Sequence, residues 1–248
     1  MTPQKFLATY RKFLKENYNA ERARQEKRYL YSTLKHYGVS VWQMRKFFKK
    51  WQKEMARLNK KQALAWAKLF WAQPSHEEKS LALGVLNIHK DKLTLADMPL
   101  IEKMMRESRG WALLDYLMIP LMPGILEKDK RAYKYLTKWI KDNDFWVRRS
   151  ALLAQNLFFR YGNGGDKKLF FKLAESQFDE AWIDKVYQDR LMNKRAKFFI
   201  RKAIGRALRE MGEKDPKAVL AFTKKNKSKM SGLSYREATR KIEPKFGI

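Results

Sequence analysis

The chain has 248 residues, 45% of them hydrophobic and 33% charged, so it is long enough to bury a sizeable core and too apolar to be a disordered polymer. Lys and Arg outnumber Asp and Glu by 55 to 26, a formal net charge of +29. A surplus of that size repels itself unless a polyanion meets it, which points to nucleic acid first and an anionic membrane surface second.

Cysteine is absent, which excludes disulfides and thiolate chemistry. The three histidines, His36, His76 and His89, are scattered, and no His–carboxylate spacing suggests a metal. No stretch has the length of a membrane span, so the expectation is a cytoplasmic protein that does not engage a membrane.

Along the chain almost every stretch has helical periodicity. Phe6, Tyr10, Phe13 and Leu14 mark a first amphipathic helix, and Tyr29, Leu30, Thr33 and Leu34 a second that Gly38 stops. Ser40 caps a third, with Met44, Phe47, Phe48, Trp51 and Met55 on its apolar side. Asn59 opens a fourth that runs to Trp71 and ends at Pro74, and Ser75-His76-Glu77-Glu78 forms a capping box for a fifth. Asp97 caps a helix to about Arg106. Ser108 caps the next, which Pro120 and Pro123 close.

Asp129 starts a helix through Trp139, and Asp144 a long one to about Tyr161 that is apolar nearly all round. Its polar exceptions, Arg149, Asn156 and Arg160, fall on one stripe. After the loop Gly162-Asn163-Gly164-Gly165, further helices open at Asp166, Asp179, Asp215-Pro216 and a second capping box, Ser234 to Glu237. Between them, Phe198 to Glu210 buries Phe199, Ile200, Ala203, Ile204, Ala207 and Leu208 and presents Lys202, Arg206 and Arg209 as a basic stripe. Gly205 costs this helix about 1 kcal/mol against Ala, which close packing or a close ligand would justify. The expected fold is all-α: one domain over residues 1–248, an α-solenoid of stacked antiparallel helix pairs with its basic residues along one concave surface.

Two stretches carry the chemistry. Ser108 to Asp115 places Trp111 and Asp115 four residues apart, on one face of a helix. Some thirty residues later, Trp146-Val147-Arg148-Arg149 follows a helix start. One acid and one aromatic among many cations suit a cationic group held beside a phosphate backbone. The plainer alternative makes Trp111 a core residue and Asp115 a tethered surface acid.

These segments resemble the bacterial DNA alkylation repair proteins of the AlkD-like alkylpurine DNA glycosylase type, built of HEAT-like repeats. The resemblance covers roughly residues 25 to 242. It rests on Tyr37-Gly38-Val39-Ser40-Val41-Trp42-Gln43-Met44-Arg45-Lys46, on His76-Glu77-Glu78-Lys79, and on Trp111-Ala112-Leu113-Leu114-Asp115. Trp146-Val147-Arg148-Arg149-Ser150-Ala151, Phe199 to Gly205 with Leu208-Arg209-Glu210, and Leu233 with Arg236-Glu237-Ala238 complete it.

The resemblance implies a C-shaped solenoid gripping double-stranded DNA, mainly through its phosphate backbone, in a concave basic groove. It implies hydrolysis of the N-glycosidic bond of N3- or N7-alkylated purines by a monomer associated with the nucleoid, with no cofactor and no metal. Asp115 would stabilise the oxocarbenium-like sugar and orient water. Trp111 would cover the sugar and add a cation–π contribution of about 0.5–2 kcal/mol. Arg149 would hold a phosphate beside the lesion, and Arg148, Lys202, Arg206 and Arg209 would bind the backbone.

Two positions depart from the family pattern: Arg206 stands where a second active-site Trp is common, and Trp42 where Pro is common. The first departure favours, as the alternative, a DNA-binding or damage-recognition member of the family without catalysis. A scaffold for an acidic protein is a third possibility, from another class.

Overall fold

Capping chemistry sets most of the helix boundaries in the computed structural model, which describes residues 1–108 and 110–242. Helix α1 (Pro3–Glu16) begins where the Thr2 side chain accepts from the Lys5 N–H, with Pro3 in its first turn. Asn19 caps α2 (Ala20–Tyr29). Reciprocal capping boxes open the next three: Ser40 with Gln43 for α3 (Val41–Ala56), Asn59 with Gln62 for α4 (Lys60–Trp71), and Ser75 with Glu78 for α5 (His76–Ile88). Helices α6 (Met98–Glu107) and α7 (Trp111–Lys128) follow. Then come α8 (Tyr133–Trp139), α9 (Phe145–Leu153), α10 (Asn156–Tyr161), α11 (Lys167–Glu175) and α12 (Ala181–Val186). The last are α13 (Arg190–Gly212), α14 (Pro216–Asn226) and α15 (Gly232–Thr239).

The fold is all-helical, of the helical-repeat solenoid class; among the described residues the β pairing is confined to an isolated bridge between Lys35 and Ser75. None of the described helices is long and apolar enough to cross a membrane.

The chain divides into two compact units, Met1–Leu121 and Met122–Ile248. In the first, α5 is the inner helix, buried from His76 to Leu86, and α3 and α4 pack on it. Phe6 of α1 joins them through an aromatic cluster, its ring 5.2 Å from Trp66, 5.4 Å from Trp51 and 6.0 Å from Phe47 and Phe70. In the second unit α13 is the hub, contacting α9, α10, α12, α14 and α15. Gly205 inside α13 has a packing reason: a Cβ there would lie 2.5 Å from the Glu237 Cβ and 3.0 Å from the Ser234 carbonyl oxygen.

Several boundaries differ from those the periodicity predicts. The second helix ends at Tyr29 rather than near Gly38, and Tyr31 turns the chain with φ 53°. Residues 32–40 are irregular, tied to the start of α5 through the His76 N–H on the Lys35 carbonyl at 2.9 Å. Asp97 does not cap α6; its carboxylate accepts from the Thr94 N–H and pairs with Lys60. Ser108 closes α6, its hydroxyl donating to the Met104 carbonyl.

Pro120 and Pro123 do not stop α7, which continues to Lys128, and the division between the two units falls between these prolines. An interior proline costs about 3 kcal/mol, whereas each large apolar side chain fully buried gains roughly 1.5–3 kcal/mol. Leu113, Leu114, Leu117, Met118, Leu121, Met122, Ile125 and Leu126 are all buried, so burial outweighs the two breaks.

The long helix expected from Asp144 to Tyr161 is two, separated at Ala154–Gln155, where the Gln155 side chain accepts from the Asp166 N–H at 2.6 Å. The polar stripe of Arg149, Asn156 and Arg160 therefore does not persist. Arg149 reaches the Phe199 carbonyl, Asn156 is buried, and Arg160 pairs with Glu210. Ser231, not Ser234, caps α15, and Glu237 is not a capping residue.

Candidate functional site

The start of α7 gathers an acid and aromatic side chains within the first unit. Trp111 is half-buried, and Tyr29 meets it edge-on, with ring centroids 5.6 Å apart and planes at 85°. The end of α2 lies directly against this turn because residue 110 is glycine: with φ 110°, a Cβ there would fall 2.3 Å from the Leu30 carbonyl oxygen. The same segment holds Tyr31 in the left-handed region, an uncommon place for a bulky side chain, and both tyrosines are exposed, Tyr29 at 68%. One turn on from Trp111, Asp115 is buried at 8% exposure between apolar neighbours on α7. Arg109 lies outside the described residues.

The second unit holds the cations. Arg148 is buried; its Nε donates to the Asp142 carbonyl at 2.5 Å and its Nη1 to Gln177 Oε1 at 3.0 Å, while its guanidinium lies 3.5 Å above the Trp182 ring. Burial lowers its pKa to about 10, which leaves it protonated at neutral pH. These contacts make Arg148 a clamp between the start of α9 and Gln177 rather than a side chain directed at solvent. Arg149 is also buried, with Nη1 3.1 Å from the Phe199 carbonyl on α13 and its guanidinium 5.5 Å from the Phe199 ring. Trp146 packs on the same ring at 4.6 Å.

The basic stripe of α13 is present and half-exposed, but acids meet it. Lys202 Nζ is 2.6 Å from Glu237 Oε1, and Arg209 pairs with the other oxygen of the same carboxylate. Burial pushes the Glu237 carboxyl up, and the two cations more than reverse this, so its net pKa is lowered. Arg206 adds its charge to that holding Glu210 ionised, whose carboxylate Arg160 grips through two hydrogen bonds of 2.6 and 2.8 Å. Arg201 is clamped by Glu180.

Sequence spacing did not single out four features. Tyr29 reaches Trp111 only through the close approach at Gly110. Glu237 reaches Lys202 and Arg209 only through the close approach at Gly205. On α3, Lys46, Lys49, Lys50 and Lys53 are exposed beside Trp42, itself 68% exposed, with Lys46 Nζ 5.4 Å from its ring. The lysine periodicity there was a usable signal, since positions 42, 46, 49, 50 and 53 share one side of a helix. His36 and His76, scattered in sequence, stack at 4.8 Å.

Residues 10–242 match the family of DNA alkylation repair enzymes. A solved structure described as a predicted DNA alkylation repair enzyme from Enterococcus faecalis superposes with a TM-score of 0.71 over 91% of this chain and 97% of that one, at 18% identity. No curated protein matches the chain.

Proposed function

From a chain that belongs to the DNA alkylation repair enzyme family, and so to DNA repair, we propose a glycosylase that binds duplex DNA and releases N3- or N7-alkylated purines. The observation that supports it most is the grouping of Asp115, Trp111 and Tyr29 where α2 meets the start of α7. Alkylation leaves a positive charge on the purine. The bond from C1′ to the base nitrogen breaks with its electron pair going to the base, which leaves neutral, and the sugar becomes an oxocarbenium ion.

Asp115 opposes that developing charge, and water then adds at C1′ and loses its proton. A unit charge about 4 Å from the cation, at an effective dielectric of about 20, is worth roughly 4 kcal/mol, or about three powers of ten in rate. The electron-rich faces of Trp111 and Tyr29 favour the same cation. Lys202, Arg206 and Arg209, with the lysines of α3, supply phosphate contacts, while the buried Arg148 and Arg149 hold α9 in place from behind.

Single-turnover release of N7-methylguanine from a duplex tests this reading: Asp115→Asn should slow release about a thousandfold with duplex affinity kept. Release that is undetectable in the wild type while damaged duplex is still bound would favour the second reading, recognition without catalysis. That reading draws its support from the burial of Asp115, which also suits a structural acid.

A further inference from the structure

The junction of α2, the irregular segment after it and the start of α5 collects four titratable side chains that neither the fold nor the proposed chemistry uses up. Glu77 is fully buried. Its Oε1 accepts from the Tyr37 and Gly38 N–H groups at 2.8 and 2.9 Å, but its Oε2 is buried with no hydrogen-bond partner among the described residues. The His36 side chain is 1% exposed, and both of its ring nitrogens lack such a partner. Its Nδ1 lies 3.8 Å from Glu26 Oε2, too far for a hydrogen bond. His76 stacks on His36 with planes 12° apart, and its Nδ1 is likewise buried and unpartnered. Buried polar atoms in native proteins almost always find partners, so this concentration of exceptions needs a cause.

We propose that Glu26, His36 and Glu77 form a site for a divalent first-row transition metal, with zinc the best match. One donor atom from each residue lies within 4.8 Å of the other two. Zinc holds oxygen and nitrogen donors at about 2.0–2.2 Å, which sets tetrahedral neighbours roughly 3.4 Å apart, so side-chain movement of about an ångström closes the site. An imidazole argues against calcium and magnesium, which prefer oxygen donors throughout, and the absence of thiolate argues against soft ions.

Two carboxylates balance the dication. Arg22, ion-paired to Glu26 Oε1 at 2.8 Å, and the two backbone N–H groups on Glu77 orient the ligands from outside. His76, stacked on His36, walls the site on that side, and the three residues leave a fourth position for a further ligand. The ion would tie α2 to α5 across the loop from Glu26 to His36, which carries Tyr29 and Tyr31. It would therefore brace a segment of the candidate site without entering its chemistry.

The test uses the full chain stripped with a chelator, then titrated with zinc against a chromophoric competitor. One zinc per chain is expected, with affinity reduced at least a hundredfold in Glu26→Gln and in His36→Gln and unchanged in Glu16→Gln, an exposed control on α1. Zinc should also raise the melting temperature of the wild type and not of the two ligand variants. Absence of stoichiometric binding, or binding that survives both substitutions, overturns the site. Should either variant fail to fold, the cobalt-loaded wild type decides: a hyperfine-shifted imidazole resonance from one histidine is required, and its absence overturns the site equally.

Discussion

Helices α7 and α13 treat charge in opposite ways. Along α7 a largely apolar run holds one buried carboxylate, Asp115, one turn from the aromatic side chains at the helix start. Along α13 cations succeed one another, and the fold brings acids to them: Glu180 to Arg201, Glu237 to Lys202 and Arg209, and Glu210 toward Arg206. A buried acid is expensive for a helix to carry, which makes Asp115 the position on α7 where a functional and a structural role are worth separating. A cation stripe is inexpensive, and part of it serves the fold. The surplus of +29 thus overstates how many cations α13 offers to a polyanion.

The sharpest way to break this contrast is Asp115→Asn. It keeps the size and hydrogen-bonding capacity of the side chain and removes only the charge. Release of N7-methylguanine should fall about a thousandfold, from the roughly 4 kcal/mol of lost electrostatic stabilisation. A variant that instead melts many degrees lower, with little change in release, would place Asp115 with the structural acids.

Arg148→Ala is the corresponding test in the second unit. Truncation removes hydrogen bonds to the Asp142 carbonyl and Gln177 and the packing on Trp182, and leaves the Gln177 amide buried. A loss of about 3–6 kcal/mol in unfolding free energy is expected, since each of the two hydrogen bonds to a charged group contributes about 1.5–3 kcal/mol. The salt dependence of duplex binding should not change. A flatter dependence at full stability would show Arg148 to be a phosphate ligand after all.

Glu237→Gln probes the acids that meet α13. It frees Lys202 and Arg209 from their shared carboxylate while leaving an amide in the space beside Gly205. Duplex binding should tighten several-fold at low salt, and the slope of log K against log salt should steepen by about one to two, at roughly 0.9 per added phosphate contact. Unchanged binding would mean that neither cation faces a phosphate.

The pattern of success in the sequence follows from range. Ser40, Asn59, Ser75 and Asp215 cap helices through atoms within three residues, so local chemistry decides them. Pro120 and Pro123 were misleading because the burial that overrides them belongs to tertiary packing. Glu237 suits a capping box and a salt bridge equally well, and only the approach of α15 to Gly205 selects the second. The spacing of Trp111 and Asp115 puts them on one helix face, whereas Tyr29 is more than eighty positions away and meets Trp111 through a contact no periodicity encodes. Arg148 and Arg149 are adjacent and identical in type, yet their rotation on α9 sends one to Asp142 and Gln177 and the other to Phe199.

The smallest expected effect belongs to Arg206, half-exposed on α13 between Lys202 and Arg209. Its long stem and planar fork suit a phosphate, and its contribution to holding Glu210 ionised is secondary to that of Arg160, which makes the direct hydrogen bonds. Arg206→Ala should therefore leave stability within about half a kcal/mol, as for most surface substitutions. It should flatten the salt slope by about one phosphate contact and weaken duplex binding by the same factor on unrelated sequences, because a backbone contact reads no base. Paired with Glu237→Gln it sharpens the comparison. If both cations freed by Glu237→Gln and the one removed by Arg206→Ala act on phosphates, the double variant should be about one contact steeper than the wild type and about one shallower than Glu237→Gln alone. A double variant as steep as Glu237→Gln alone would show that Arg206 serves Glu210 and the helix, and that phosphate binding on α13 lies with Lys202 and Arg209.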